Sequence, residues 1–315
     1  MVKCPMPRTR PVVTLDGMRC SHPSGKQDPG EGPDMYTDAP NHVVDAANGV
    51  RYAYRRCGPS GSQPPLLMLH HFRGTLDSWD PALVNALATE RDVIAFDNAG
   101  VGLSTGRTPR TIAETAVDTL AFMTAIGVRQ ADLLGFSMGG YTAQELALLR
   151  PAAVRRLVLA ATAPRGGPGV PGRPDDVFAR ADVDQPSLED YLYAFFNHTE
   201  SSQRSGLEFL GRYIEREHDR DLPAGRAARQ AQYQAMTEWG VPEHGALRRL
   251  SAIRQPALVV HGDNDFVIPP GASRLLAGLL PDARVRTYPD SGHGFLFQHH
   301  EEVARDVLAF LAEAP

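Results

Sequence analysis

Cysteine is scarce in this chain: the 315 residues include three, which are Cys4, Cys20 and Cys57. Three scattered cysteines are too few for the disulfide framework of a small secreted domain, and their spacing does not fit a structural zinc site. We therefore expect neither a disulfide framework nor a metal. A reducing cytoplasm is the default location.

Long apolar runs and an excess of basic charge are also lacking. No apolar stretch approaches the ~18 residues of a membrane-spanning helix. The formal net charge of -5 offers no basic surface for nucleic acid or anionic lipid. Lys3, Arg8 and Arg10 precede no apolar segment, so we expect no secretory signal. The expected partner is a small molecule, not a nucleic acid or a membrane, and homo-oligomerisation stays open.

The N-terminal segment has little hydrophobic patterning. Residues 1–40 are rich in Pro, Gly, Asp and Ser. Such a segment cannot bury enough apolar surface to offset the entropy of ordering, which predicts a flexible extension over 1–40. Regular structure is predicted from His42, with a turn at Ala47-Asn48-Gly49 between two antiparallel strands.

Short apolar runs bounded by turn residues recur along the chain, as is typical of parallel strands covered on both faces. They occupy residues 66–69, 93–96, 133–134, 157–160 and 257–260. Helix patterns lie between them, and the clearest starts at Thr111 with a capping box to Glu114. Its predicted inner face carries Ala113, Val117, Leu120 and Thr124. The alternation predicts βαβ units and an α/β fold.

The alternation stops after Pro164 and resumes at Pro256. The ~80 residues between these points look helical and polar, which is too long for a single connection. We predict a helical cap over 164–250, inserted into a core formed by 41–163 and 251–315. Its aromatic residues could line an acyl pocket or form the core of the cap: Tyr191, Tyr193, Phe195, Phe196, Phe209, Tyr213, Tyr233 and Trp239.

A Gly-x-Ser-x-Gly motif at Gly135-Phe136-Ser137-Met138-Gly139 stands between an apolar strand and a helix pattern. This context holds a serine at a strained turn, with the free amides of a helix N-terminus beside it. Nucleophilic acyl chemistry needs that arrangement, so Ser137 is the predicted nucleophile. The alternative is an ordinary N-cap serine.

A serine nucleophile needs a base and a group that orients the base. His293 lies between two glycines in a loop near the C-terminus and is the predicted base. Asp265 follows the strand at 257–260 and is the predicted acid, with Asp263 as a turn residue. His299 and His300 are predicted to be surface residues. The order Ser, Asp, His is that of α/β-hydrolase triads.

Two backbone amides should converge on the oxyanion. We expect them from Met138 and from Phe72, in the loop after the strand at 66–69. His70 and His71 could instead suggest a metal pair, but adjacent strand side chains point in opposite directions. The loop at 97–104 contains Gly-x-Gly without a third glycine, so it predicts structural support and no dinucleotide cofactor.

These motifs together make the chain resemble the α/β-hydrolase fold superfamily over roughly residues 42–313. The resemblance implies an eight-stranded, mostly parallel sheet with helices on both faces and a helical cap after strand 6. The Phe-Ser-Met-Gly-Gly elbow is most similar to that of esterases and cofactor-free haloperoxidases, and also to C–C hydrolases and lactonases. One difference is His71, where the family usually has glycine; its Cβ narrows the entrance to the oxyanion hole.

The predicted function is a serine hydrolase that cleaves a carboxylic ester or lactone. Two alternatives use the same triad: a cofactor-free perhydrolase or haloperoxidase, and a C–C bond hydrolase. A more remote alternative is a non-catalytic ligand-binding protein on the same scaffold. The natural substrate is not encoded in any transferable pattern of cap residues.

Overall fold

The computed structural model describes residues 35–61, 63–167, 180, 183–184 and 186–314. Residues 1–34 of the predicted extension lie outside this part. Tyr36 is buried, its hydroxyl donates to the Leu76 carbonyl at 2.7 Å, and its N–H donates to the Asn85 side chain at 2.8 Å. The packed core therefore starts before the predicted boundary at residue 41.

Eight strands form one sheet within the described residues, in the order β1-β2-β4-β3-β5-β6-β7-β8. They are β1 (His42–Asp45), β2 (Arg51–Cys57), β3 (Leu66–Leu69), β4 (Val93–Phe96), β5 (Ala131–Phe136), β6 (Val154–Ala160), β7 (Ala257–Gly262) and β8 (Ala283–Tyr288). The β1–β2 and β2–β4 pairs are antiparallel and the others are parallel. The predicted eight-stranded, mostly parallel sheet is confirmed.

Helices cover both faces of this sheet. The helices in the described residues include α1 (Pro81–Ala88), α2 (Ile112–Ala125), α3 (Met138–Leu149), α4 (Leu188–Phe195), α5 (Glu200–Tyr213), α6 (Arg226–Gly240), α7 (His244–Arg249), α8 (Gly271–Leu279), α9 (Phe295–Gln298) and α10 (His300–Ala312). None of the helices in the described ranges is both long and apolar enough to cross a bilayer.

Strand β3 shows how one apolar run serves two cores. Leu66 and Met68 belong to the cluster that contains residues of α1 and α10. Leu67 and Leu69 belong to the cluster that contains residues of α2, α3 and α8. Because successive strand side chains point to opposite faces, a strand covered on both sides must be apolar at every position.

Helix α2 turns a different face inward from the one predicted. Its buried residues are Ile112, Thr115, Ala116, Thr119, Phe122 and Met123. Val117 is 53% exposed, and Ala113 and Thr124 are exposed as well. The prediction of the inner face was wrong because the helix carries apolar residues around most of its circumference.

Helices α4–α7, here called the insertion helices, lie between β6 and β7 in the chain. The Trp239 ring stacks on Tyr141 of α3, with centroids 5.2 Å apart. Arg212 forms a two-pronged ion pair with the buried Asp80, at 2.8 and 2.7 Å. Ring stacking and a charge-assisted pair thus hold these helices against the core. The division into a core and a cap at 164–250 stays a prediction.

Candidate active site

Ser137 stands at the junction of β5 and α3 in a conformation that few residues adopt. Its φ of 54° and ψ of −116° lie outside the ordinary regions for an L-residue. A Cβ on Gly135 would lie 2.5 Å from the Gly139 carbonyl oxygen, and one on Gly139 would lie 2.0 Å from that of Leu69. Glycine is therefore required at both positions, because strand, turn and helix approach each other backbone to backbone.

The backbone of Ser137 is held from three sides. Its N–H donates to the Ala160 carbonyl at 2.8 Å. Its carbonyl accepts from the Thr162 hydroxyl at 2.9 Å and from the Gly140 N–H at 2.9 Å. These bonds offset the strained turn and direct the side chain towards a cavity, which Ser137 lines together with His293.

His293 lies in the loop after β8 and contacts the end of insertion helix α4. Its Nδ1 is 2.7 Å from Oδ2 of Asp265. The next residue, Gly294, donates its N–H to the Phe195 carbonyl at 2.6 Å, and a Cβ there would lie 3.0 Å from that oxygen. The loop that carries the imidazole is thus fixed on one side by a carboxylate and on the other by the backbone of the insertion.

Asp265 is buried after β7 and accepts hydrogen bonds at both oxygens. Oδ1 accepts from the N–H groups of Val267 and Ile268, at 2.8 and 2.9 Å. Oδ2 lies 2.7 Å from His293 Nδ1 and 2.9 Å from His261 Nε2. Burial acts to raise the pKa of Asp265, but the electrostatic interaction with His293 and the hydrogen bonds from both histidines hold it well below its usual value.

The charged state of Asp265 fixes the form of the imidazole. A carboxylate only accepts, so Nδ1 of His293 carries the proton. In the neutral ring, Nε2 then has a free lone pair and can take a proton. A carboxylate behind an imidazole in this way is the orienting arrangement of a general base.

His261 is a further hydrogen-bonding partner of Asp265 and was not among the predicted site residues. Its Nε2–H is shared between Asp265 Oδ2 at 2.9 Å and the Ile268 carbonyl at 2.8 Å. Its Nδ1 accepts a hydrogen bond from the Ser273 hydroxyl of α8. The ring therefore connects strand, loop and helix around Asp265. The sequence did contain one indication of this contact: His261 lies near the end of a buried strand, four residues before Asp265.

Two backbone amides are available beside Ser137. The N–H groups of Phe72 and Met138 make no hydrogen bond to another residue in the described part of the chain. Phe72 lines the same cavity as Ser137, and Met138 begins α3, where helix N–H groups have no intrahelical acceptor. The elbow at Gly139 packs directly on the end of β3, which brings the two loops together.

The cavity has about 680 Å³ of empty space, including the part open to solvent. Tyr191, Ala194 and Phe195 of α4 and Val267 of the acid loop supply apolar lining. Phe196, Phe209 and Trp239 of the insertion are buried instead. Some of the insertion's aromatic residues thus line the cavity and others are buried, whereas Tyr233 is 42% exposed. The space and its lining suit an organic substrate of moderate size.

The five predicted site residues occupy one end of the sheet. Ser137, His293 and Phe72 line the cavity, Asp265 lies behind His293, and Met138 follows the serine. Their loops follow β3, β5, β7 and β8, whose carboxyl ends meet at the same edge, the usual location of a site in an open α/β sheet. Within the described residues no three His, Cys, Asp or Glu side chains are grouped in a way that could hold a metal ion.

The loop at 97–104 contains Asp97, a buried carboxyl group that lies beside the half-buried carboxyl group of Asp221. Leu76 N–H donates to Asp97 at 3.0 Å and to Asp221 of the insertion at 2.8 Å. Asp97 also accepts from Leu103 N–H at 3.0 Å. Burial and the neighbouring Asp221 raise the pKa of Asp97 well above its usual value, and burial raises that of Asp221. The pair joins the core to the insertion.

Residues 64–300 match the model of the α/β hydrolase fold family. A poly(3-hydroxyalkanoate) depolymerase of Ectopseudomonas oleovorans is 31% identical over 257 residues, covering 79% of this chain and 84% of the relative. A 2-hydroxymuconate semialdehyde hydrolase of Pseudomonas sp. strain CF600 is 29% identical, covering 81% and 89%. A solved α/β hydrolase fold protein from Chitinophaga pinensis is 39% identical, with a TM-score of 0.82 over 89% of this chain and 99% of the other.

Proposed function

Because the chain belongs to the α/β hydrolase fold family, we propose that it is a serine hydrolase that cleaves a carboxylic ester or lactone. The observation that carries the proposal is a serine at a strained elbow that shares a cavity with an imidazole, whose far nitrogen is bound to a buried carboxylate. A strained, oriented serine with a base beside it serves covalent acyl transfer.

The proposed reaction starts with attack of Ser137 Oγ on the acyl carbon. Nε2 of His293 takes the hydroxyl proton, and Asp265 stabilises the imidazolium through Nδ1–H. The N–H groups of Phe72 and Met138 donate to the oxyanion as charge develops on it. The tetrahedral intermediate then expels the alcohol, which receives the proton from His293 and leaves an acyl-serine.

Water completes the cycle by the same route. His293 takes a proton from a water molecule, which attacks the acyl-serine carbon. The second tetrahedral intermediate releases the carboxylic acid, and the proton returns to Ser137. A lactone would follow both steps with its alcohol still attached to the acyl chain. The apolar residues of α4 and the acid loop would bind the carbon chain of the acyl group.

Hydrolysis of p-nitrophenyl butyrate and labelling with a fluorophosphonate test the proposal. Ser137→Ala should lose both labelling and at least about 10⁴-fold in kcat. The matched control is Ser251→Ala, at an exposed serine whose hydroxyl donates to the Arg248 carbonyl. Equal hydrolysis by wild type and Ser137→Ala, or labelling that persists in Ser137→Ala, would reject the proposal.

A second candidate reaction is hydrolysis of a carbon–carbon bond. It is supported by the 29% identity to a 2-hydroxymuconate semialdehyde hydrolase over 81% of the chain. The same five residues would serve, with a carbon acid as the leaving group. Comparing kcat/KM for ring-fission products with kcat/KM for p-nitrophenyl esters distinguishes the candidates, since the true substrate class should be turned over with the higher efficiency.

A further inference from the structure

His71 is a buried polar residue that the proposed mechanism does not use. It is the second residue after β3, is 7% exposed and lines the cavity with Ser137 and His293. Its ring meets Phe136 and Phe195 edge-on, with centroids 5.2 and 5.3 Å away. Two aromatic neighbours at nearly perpendicular angles hold the imidazole in one orientation.

The tautomer of His71 is fixed by its own loop. Nδ1 lies 2.8 Å from the Phe72 carbonyl oxygen, and a carbonyl can only accept, so Nδ1 carries the proton. Burial lowers the pKa of His71 to about 4, and the electrostatic interaction with His293 acts in the same direction, against the opposing effect of the Phe72 carbonyl. The ring is therefore neutral at pH 7, and Nε2 is an acceptor.

Nε2 of His71 has access to the cavity. It makes no hydrogen bond to another residue in the described part of the chain. It is also not fully enclosed, whereas both ring nitrogens of His70 are enclosed and have no hydrogen-bond partner. Since His71 lines the cavity, the open space beside Nε2 is the cavity itself. The loop thus offers an acceptor next to the Phe72 N–H, which is a donor.

We infer that Nε2 of His71 accepts a hydrogen bond from a hydroxyl group on the acyl part of the substrate, at the second or third carbon. This inference rests on the proposed function, in which the Phe72 N–H binds the oxygen of the scissile carbonyl. Because Phe72 and His71 are adjacent, a hydroxyl close to that carbonyl falls beside the imidazole. A substrate without it leaves a buried acceptor unpaired, and sites built for a hydroxyl discriminate strongly against the deoxy analogue.

Two pairs of esters test the inference: p-nitrophenyl 3-hydroxybutyrate against butyrate, and p-nitrophenyl lactate against propionate. The measured quantity is the ratio of kcat/KM within each pair. This ratio does not depend on the fraction of active enzyme, so a partly folded variant still gives a valid result. Wild type should favour the hydroxylated ester by about ten- to hundredfold in at least one pair.

Substitutions at His71 distinguish its role as a hydrogen-bond acceptor from its role in aromatic packing. His71→Phe keeps the aromatic packing but removes the acceptor, so the ratio should fall to about one. His71→Gln can place an amide oxygen near Nε2 and should retain part of the preference. His300→Phe, at the start of α10 and outside the cavity lining, is the control and should keep the wild-type ratio.

The outcomes distinguish the two proposals. A ratio near one in wild type for both pairs, or a preference that survives in His71→Phe, overturns the role of His71 and leaves the serine hydrolase intact. Hydrolysis that does not depend on Ser137, or no hydrolysis of any of the four esters, overturns the proposed function and this inference with it.

Discussion

Adding one methyl group to the elbow, as Gly139→Ala, tests how the site is held together. The new Cβ would lie 2.0 Å from the Leu69 carbonyl oxygen, 2.5 Å from its carbon and 2.9 Å from the His70 carbonyl oxygen. All three obstacles are backbone atoms of the β3 end, so no side chain can rotate away. The start of α3 and the end of β3 must separate by about 1 Å to reach the shortest contacts that proteins tolerate.

That separation has two measurable costs. Overpacking of this kind should lower the free energy of unfolding by about 1–3 kcal/mol. It also moves the Phe72 N–H away from Ser137, because Phe72 follows β3 and Ser137 precedes α3. Misplacement by about 1 Å, or loss of one oxyanion donor, corresponds to a fall of about 10²-fold in kcat. Activity should therefore fall much more than the folded population does.

Urea unfolding and hydrolysis of p-nitrophenyl butyrate measure the two effects on the same preparation. The control is Gly278→Ala in α8, where an added Cβ meets nothing within 4 Å. Alanine is a better helix former than glycine, so this variant should be more stable by about 0.5–1 kcal/mol and equally active. Wild-type kcat and stability in Gly139→Ala would refute the close packing of elbow and strand.

Three further substitutions test the groups behind the site. Asp265→Asn should lower kcat by about 10⁴-fold in steady-state assays, because a carboxylate no longer fixes the His293 tautomer; a loss under tenfold would contradict this. His261→Ala should lower kcat by about ten- to hundredfold with little change in KM, since Asp265 loses one of its two imidazole donors; an unchanged kcat would rule out a positioning role. Folding raises the pKa values of Asp97 and Asp221. The contribution of their protonated forms to the free energy of unfolding is therefore present below about pH 4 and is lost as the pH rises through the pKa values of the folded state. The melting temperature of Asp221→Asn relative to that of wild type should therefore rise between pH 4 and pH 8. A difference that stays constant over this range would refute the coupling of the two carboxyl groups.

The elbow and the sheet were predictable because their signals are local. Gly135 and Gly139 flank the serine within five residues, and every parallel strand except the edge strand β8 contains a short apolar run. The α/β fold and its mostly parallel sheet follow from those runs. Phe72 could be located because it follows such a strand.

Other features depend on contacts between distant segments. His261 acquires its role through Ser273 and Ile268, which belong to a helix and a loop that no motif connects to it. Tyr36 packs under Arg55, with the guanidinium 5.3 Å from the ring centre, although the residues before it have a composition typical of flexible chain. Helix α2 shows a related limit: with apolar residues on most sides, periodicity does not decide which side faces the sheet.

The bond from Gly294 N–H to the Phe195 carbonyl has a consequence for protein engineering. It joins two main chains, so no change of side chain in the insertion can remove it while α4 keeps its end in place. Exchanging the insertion for that of another hydrolase would replace one of the supports of the imidazole along with the substrate pocket. A graft that alters the direction in which α4 ends will shift His293, and a chimera built for new selectivity must therefore reproduce this one peptide contact.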